Sequence, residues 1–448
     1  MVLLQQQLKK EIGFLAALTT VIGTVIGAGV FFKPTAVYSS TGSASLGLLA
    51  WFIGGVLTIC AGLTAAELSA AIPETGGMMA YLKRTYGNLT AFLLGWAQTV
   101  IYFPANIAAL AIIFGTQTVS LFGLAANDHK MLIVGIAAAT AIFLTLLNFL
   151  GAKAAGGIQT VATICKLIPL ALIIVFGLLH EGNVPFQLFP VEPGPEQSSF
   201  LTALGAGLLA TMFAYDGWIL VGNIAGEMRN PKKDLPKAII LGLSAVMAIY
   251  LLINVAFLMV MSAASLAGTD TPASDAAQLI FGSMGGKLVS IGILISVFGS
   301  INGYVMTGMR VPYAMAMENK LPFSKWFAKL SPKSRVPYNS GLFILFVAII
   351  MMFIGGFNTL TDMLIFVIWI FYTMTFAAVM ILRKREPKLV RPYKVPLYPV
   401  LPVIAILGGL FIVINTLFTQ PLLALCGLAI TALGLPVYYG MRSRHINE

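Results

Sequence analysis

Residues 21–34 read VIGTVIGAGVFFKP, and residues 211–222 read TMFAYDGWILVG. The first stretch places Gly23, Gly27 and Gly29 about 11 to 17 residues into an apolar run, near half the depth of a bilayer at a helical rise of about 1.5 Å per residue. The second sets Asp216-Gly217 inside another apolar run, deeper than its middle when counted from the outside. A carboxylate at that depth is expensive and is expected to face the interior of a helix bundle. Interruptions at matching positions of two oppositely oriented spans are the best sequence pointer to a transporter's midplane site. Each also has a plainer reading: a small-residue packing face in the first run, and in the second a hydrogen-bonded Asp capping a kink. Their joint placement favours the site.

The rest of the chain supplies the membrane. Of 448 residues, 58% are hydrophobic and only 10% charged, whereas a soluble domain carries about 25% charge. Windows of roughly 20 apolar residues give twelve candidate spans, near 12–38, 44–71, 88–120, 131–150, 156–180, 201–226, 236–264, 284–311, 338–356, 361–382, 397–418 and 421–440. The third is long enough to tilt. The first has no small-residue cleavage site and reads as a span that stays rather than a signal peptide. The expected class is an all-α membrane protein with 12 transmembrane helices.

The net charge of +11 would suggest nucleic acid in a soluble protein. Its distribution says otherwise. With an inside N-terminus, 23 of the 27 Lys and Arg residues fall on the cytoplasmic side, among them Lys9, Lys10, Lys83, Arg84, Lys153 and the run from Lys384 to Lys394. Lys33, Lys130 and Lys287 fall outside, and Lys166 lies within the fifth span as the one basic residue near midplane. That bias is the positive-inside rule, so both termini are expected in the cytoplasm. No nucleic-acid partner is expected; the bilayer is.

The three cysteines, Cys60, Cys165 and Cys426, sit in apolar runs without metal-type spacing and read as small buried hydrophobes. The three histidines, His129, His180 and His445, lie near membrane edges or loops and form no catalytic or metal motif. An intramembrane enzyme is therefore unsupported, and no cofactor or metal is expected. A channel would need filter motifs or charged rings, and neither is present.

The chemistry of the two interruptions follows from backbone physics. Unwinding exposes the N–H groups of Gly27, Ala28 and Gly29 at the start of a half-helix, whose dipole favours a carboxylate. In the sixth span it exposes the carbonyls of Phe213 and Ala214, which accept from an ammonium. A carboxylate on one side and an ammonium on the other describe an α-amino acid. Phe213, Tyr215 and Trp218 can form an aromatic gate or lid, or simple packing. Tyr102, Asn106 and Ser296 are pocket or gate candidates by depth. Glu227, Arg229 and Asp234 either close an inner gate with the N-terminal segment or are merely solvated, and Glu67 is a candidate to pair with a loop Lys or Arg.

At these residues the chain resembles the L-amino acid transporter family of the amino acid–polyamine–organocation superfamily, most closely the bacterial serine/threonine or alanine/serine/cysteine exchangers. The likeness rests on KKEIGFLAALTTVIGTVIGAGVFFKP, IPETGGMMAYL, TICKLIPLALIIVFG, TMFAYDGWILVGNIAGEMRNPKKDLPKA, FGSINGYVMTGMRVPYAMA and RPYKVPLYP. It implies a leucine-transporter-like 5+5 inverted repeat (12–180 and 201–382), two peripheral helices (397–440), and a single transporter domain over 1–448. It further implies sodium-independent exchange of small neutral L-amino acids such as alanine, serine, threonine and cysteine. The carboxylate would then meet the Gly27–Gly29 backbone, and the ammonium the Ile26, Phe213 and Ala214 carbonyls beside Asp216. Relatives join a heavy chain through a cysteine between spans three and four; here SLFGLAANDHK has none, so a free-standing bacterial carrier is expected. Ala28 stands where many relatives have Ser.

Lys166 lies roughly 15 Å into its span, beyond easy snorkelling to the interface. By the same resemblance, its ammonium would replace the second sodium ion of sodium-coupled relatives. It would join the first interruption to the region of Ser296 to Asn302. Proton-coupled symport, and an exchanger accepting cationic amino acids through Asp216, both remain open alternatives.

Overall fold

The protein is described here by a computed structural model covering residues 13–72, 77–151, 162, 165–181, 184–197, 199–219 and 228–447. It is all helical, with no strand among the described residues. Helices α1 (Phe14–Val25) and α2 (Gly29–Thr41) form a pair bent by 50°. There follow α3 (Ala44–Ala71), α4 (Met78–Tyr86), α5 (Asn88–Ala97), α6 (Phe103–Leu121), α7 (Lys130–Phe149), α8 (Leu167–Leu178) and α9 (Phe200–Ala214). The second half holds α10 (Pro231–Val260), α11 (Ala263–Ala267), α12 (Pro272–Gly308), α13 (Arg310–Met317), α14 (Ser324–Phe327), α15 (Tyr338–Ile354) and α16 (Phe357–Arg385). Helices α17 (Val400–Thr419), α18 (Pro421–Ala432) and α19 (Gly434–Asn447) close the chain.

Eight helical segments among the described residues are long and apolar enough to cross a membrane, and the bent α1–α2 pair makes a ninth. Helices α8, α9 and α15 are apolar but shorter. The last two spans are the least enclosed, with 28% and 17% of their most apolar windows buried, so most of their surface is left for lipid.

Local sequence explains the boundaries. Ser43 caps α3 by accepting from the Leu46 N–H, and Ser199 caps α9 by accepting from the Thr202 N–H, satisfying donors that a helix start leaves bare. Between α5 and α6 the long span runs through a π-helical turn, Gln98–Tyr102. Pro104 follows at once, and a proline that cannot donate to the preceding turn loosens the ladder there. Gly282, at φ 72°, divides α12 into a shorter first piece and a longer second one.

Charged side chains fasten the two ends of the bundle. At one end, Glu67 on α3 is 1% exposed and accepts from Arg383 on α16 at 2.8 and 2.5 Å. The Val395 N–H and the Arg391 guanidinium complete its shell. Arg391, in the segment after α16, is a loop partner of the kind expected for Glu67, and Arg383 adds one from the helix itself. Arg84 meets Glu386 at 2.6 Å nearer the surface, and its hydrogen bond holds that carboxyl below the usual range. At the other end one expectation is corrected. Lys33 is not an outer-side charge: α2 runs on through Lys33 and Pro34, so the lysine stays in the bundle, fully buried and 2.7 Å from Asp362 on α16. Lys33 thus joins Lys166 as a basic residue buried within the bundle. Lys9, Lys10, Lys153 and Glu227, with the N-terminal segment proposed to join the inner gate, lie outside the described residues.

Removing one partner of a buried ion pair leaves a bare charge, at about 3–5 kcal/mol, whereas an exposed pair contributes about 1 kcal/mol or less. Glu67→Ala is accordingly expected to lower the thermal midpoint of the detergent-purified protein markedly, and Arg84→Ala hardly at all. Equal midpoints for the two variants would show that the Glu67 network does not hold α3 to α16.

Candidate functional site

The two interrupted spans meet at their interruptions. Helix α1 ends at Val25, with Ile26 extended at φ −66°, ψ 102°, and α2 begins at Gly29. Helix α9 ends at Ala214, and residues 215–217 turn, with Gly217 at φ 102°. A Cβ on Gly29 would sit 2.7 Å from the Ala214 Cα, and one on Gly217 would sit 2.7 Å from the Thr24 carbonyl oxygen. The start of α2 thus packs on the end of α9, while the turn after α9 packs on the end of α1. Gly217 also needs its left-handed φ, which other residues rarely adopt. A Cβ on Gly27 would meet nothing closer than the Val25 oxygen at 3.8 Å, so the backbone there borders open space.

Bare backbone groups at such a break must find partners away from water. Lys166, 6% exposed, donates to the Gly23 carbonyl at 2.7 Å and to the Ile26 carbonyl at 2.5 Å. Its cation sits at the C-terminal end of α1, where the helix dipole is negative. Tyr250 of α10 lies between the interruptions, its hydroxyl within 3.1 Å of the Val25 carbonyl and 2.9 Å of the Ala214 carbonyl. The Gly27 N–H bonds to the Tyr250 oxygen. At the start of α2, the N-cap residue is Ala28, which has no side-chain acceptor for the first N–H groups.

This occupancy alters the sequence expectation in detail. The Ala214 carbonyl is engaged by Tyr250, Ile26 by Lys166, and the Phe213 carbonyl accepts from the Asp216 N–H at 3.4 Å. A ligand ammonium would share these oxygens through their second lone pairs. Asp216, 6% exposed, accepts from Tyr102 at 2.5 Å and from Tyr372 at 2.9 Å, with the Gly217 N–H adjacent.

The three aromatic residues read as a gate or lid, or as simple packing, each have different neighbours. Phe213 stacks edge-on against Phe357 at 5.6 Å, and the Lys33 ammonium lies 5.6 and 5.5 Å from the two rings. Tyr215 turns toward α3 and donates to the Trp51 carbonyl at 2.9 Å. Trp218 packs on Tyr372 and Phe376. Asn106 donates to the Tyr102 carbonyl at 2.9 Å, and its Oδ1, like the Ser296 hydroxyl, has no hydrogen-bond partner among the described residues. Among the described residues of the fifth span, Ala162 lies against Gly299 of α12 and Pro169 of α8 lies against Gly292. Above Phe357, a cavity of about 550 Å³ is lined by Phe32, Thr35, Thr116, Asp270 and Asn358, among others.

Sequence reading missed Tyr250, Tyr372, Phe357 and the Lys33–Asp362 pair. A signal existed for one of them: Tyr250 and Asn254 stand one helical turn apart within an otherwise apolar run. Asn254 Oδ1 accepts from Tyr38 of α2 at 3.2 Å.

A multi-pass helical bundle with two apposed, polar-lined helix breaks at its centre is the architecture of a membrane carrier. The chain belongs to the amino acid permease family, which matches residues 12–437, within the amino acid–polyamine–organocation superfamily. It is 46% identical over 440 residues to the serine/threonine exchanger SteT of Bacillus subtilis (strain 168), covering 98% of each chain. It is 31% identical over 437 residues to the large neutral amino acids transporter small subunit 2 of Mus musculus, covering 96% of this chain and 81% of that one. Against the human cystine/glutamate transporter it is 30% identical over 433 residues, covering 97% and 85%. The protein is therefore an amino acid transporter rather than an enzyme.

The two glycines at the first break should separate structure from function. Gly29→Ala pushes a methyl into the α9 backbone and is expected to reduce the yield of monodisperse protein. Gly27→Ala is expected to fold but to lose amino acid uptake, because its methyl enters the open space. A Gly29→Ala variant that purifies and melts like the parent would contradict this packing.

Proposed function

We propose that the protein is a sodium-independent exchanger of small neutral L-amino acids, alanine, serine, threonine and cysteine among them, working by alternating access. The reading includes twelve spans, arranged as inverted repeats over 12–180 and 201–382 with peripheral helices over 397–440. Both termini are placed in the cytoplasm of a bacterial cell. The observation that carries it is the apposition of the two helix breaks. A carboxylate is attracted to the N-terminal end of α2, and an ammonium to the carbonyls at the ends of α1 and α9.

Lys166 supports sodium independence. Its ammonium already provides a cation at the end of α1, where a bound metal ion would otherwise be needed to hold the break. The 46% identity to a serine/threonine exchanger supports the substrate class. Small substrates also suit a site whose surroundings are filled by Tyr250, Tyr102 and Phe213. No disulfide-linked heavy chain belongs to this reading.

Proton-coupled uptake is the second reading. Among the described residues no carboxylate is paired with Lys166, so its positive charge is held by carbonyls alone, and a buried lysine of that kind can lose its proton.

The test is uptake of radiolabelled L-serine by proteoliposomes without sodium, comparing empty vesicles with vesicles preloaded with serine or alanine. Exchange predicts uptake only into preloaded vesicles, reduced at least about tenfold in Lys166→Ala, the factor expected from losing about 1.4 kcal/mol. Uptake into empty vesicles that follows an imposed pH gradient would replace exchange by symport. The carrier reading for these substrates fails if no saturable uptake appears at all.

A further inference from the structure

We infer that Tyr102 and Tyr372 determine selectivity against cationic amino acids by occupying the Asp216 carboxylate; this rests on the carrier reading above. Asp216 sits in the turn after α9, next to Gly217, which packs on Thr24 at the end of α1, and its carboxylate is the group that a lysine or arginine side chain would seek. Each of its two oxygens is already engaged. Tyr102 Oη donates to Oδ2 at 2.5 Å and Tyr372 Oη to Oδ1 at 2.9 Å, with the Gly217 N–H adding a further donor. A carboxylate has about four acceptor positions, and a tyrosine hydroxyl holds one on each oxygen.

The two hydroxyls are held from independent directions. Tyr102 closes the π-helical turn between α5 and α6 and packs edge-on against Tyr304 at 6.2 Å. Tyr372 comes from α16 and is flanked by Trp218 at 5.1 Å and Trp369 at 5.8 Å. Because both rings are fixed by aromatic neighbours, neither hydroxyl can swing to a new acceptor without repacking. A cationic substrate would have to displace at least one of them, leaving a buried donor without a partner, which is the expensive event in hydrogen-bond exchange. A neutral side chain makes no such demand. Tyrosine also solvates the carboxylate without neutralising it, so the charge remains ready for a cation once the hydroxyls are gone.

The experiment compares Tyr102→Phe, Tyr372→Phe, the double variant and the double variant with Asp216→Asn, reconstituted with the parent protein. The readout is the ratio of the half-inhibitory concentrations of L-arginine and L-serine against L-serine counterflow, with direct L-arginine uptake as a second measure. The parent is expected to be poorly inhibited by arginine. Each single variant should lower the ratio, the double variant should lower it at least about tenfold, and Asp216→Asn should restore it. The inference is overturned if arginine inhibits the parent as well as serine does, if the ratio is unchanged in the variants, or if Asp216→Asn leaves the gain intact. The last result would assign the gain to pocket volume. Variants that purify as monodisperse protein yet neither carry serine nor gain thermal stabilisation by arginine would also overturn it, since the tyrosines would then serve structure. Failure of serine counterflow in the parent would strike the exchange reading itself.

Discussion

The structure depends on two hydrogen bonds from one ammonium: Lys166 to the carbonyls of Gly23 and Ile26. A helix that stops halfway through a membrane leaves its last carbonyls without donors, and hydrocarbon offers none. Lys166 supplies the donors and places a positive charge on the negative end of the α1 dipole. With that end satisfied, α2 can start afresh at Gly29. The second break is matched to the first by close contact, Gly29 on Ala214 and Gly217 on Thr24, and by Tyr250 between them. The site is thus made of backbone and is held by side chains arriving from other helices.

Around this centre the bundle is fastened by buried charge on either side. Lys33 and Asp362 tie α2 to α16 next to the Phe213–Phe357 pair, which lies between the 550 Å³ cavity and the helix breaks. Glu67, Arg383 and Arg391 tie α3 to α16 and to the segment that follows it. Helix α16 takes part in both ion-pair clusters and also supplies Tyr372 to Asp216. A helix fixed at two ends and its middle is a suitable frame for movement of the broken helices against it. The flanking aromatic rings give the buried Lys33 ammonium further stabilisation.

Much of this was legible in the sequence because membrane physics is severe. Apolar run lengths mark spans, glycines in VIGTVIGAG mark the first break, and an aspartate at depth marks the second. Lys166 was recognisable because a lysine roughly 15 Å from the interface has to do something. What escaped was long-range pairing. Nothing local says that Lys33 meets Asp362, that Tyr250 bridges two carbonyls, or that Tyr372 reaches Asp216 across 156 positions. Tyrosine and phenylalanine in an apolar run look like packing, and only the fold tells which hydroxyl finds a carboxylate. Lys33 was counted as an outer charge although it falls inside the first apolar run, because nothing local shows the buried Asp362 that holds it there.

The central claim is that the start of α2, kept open by Lys166, receives the substrate's carboxylate. An experimental structure of the protein with bound L-serine tests it most directly. The account predicts the serine carboxylate within hydrogen-bonding distance of the Ala28 or Gly29 N–H, in the space beside Gly27, with Lys166 still on the Ile26 carbonyl. Serine seated in the 550 Å³ cavity against Asp270 and Asn358, with the space at Gly27 empty, would contradict it.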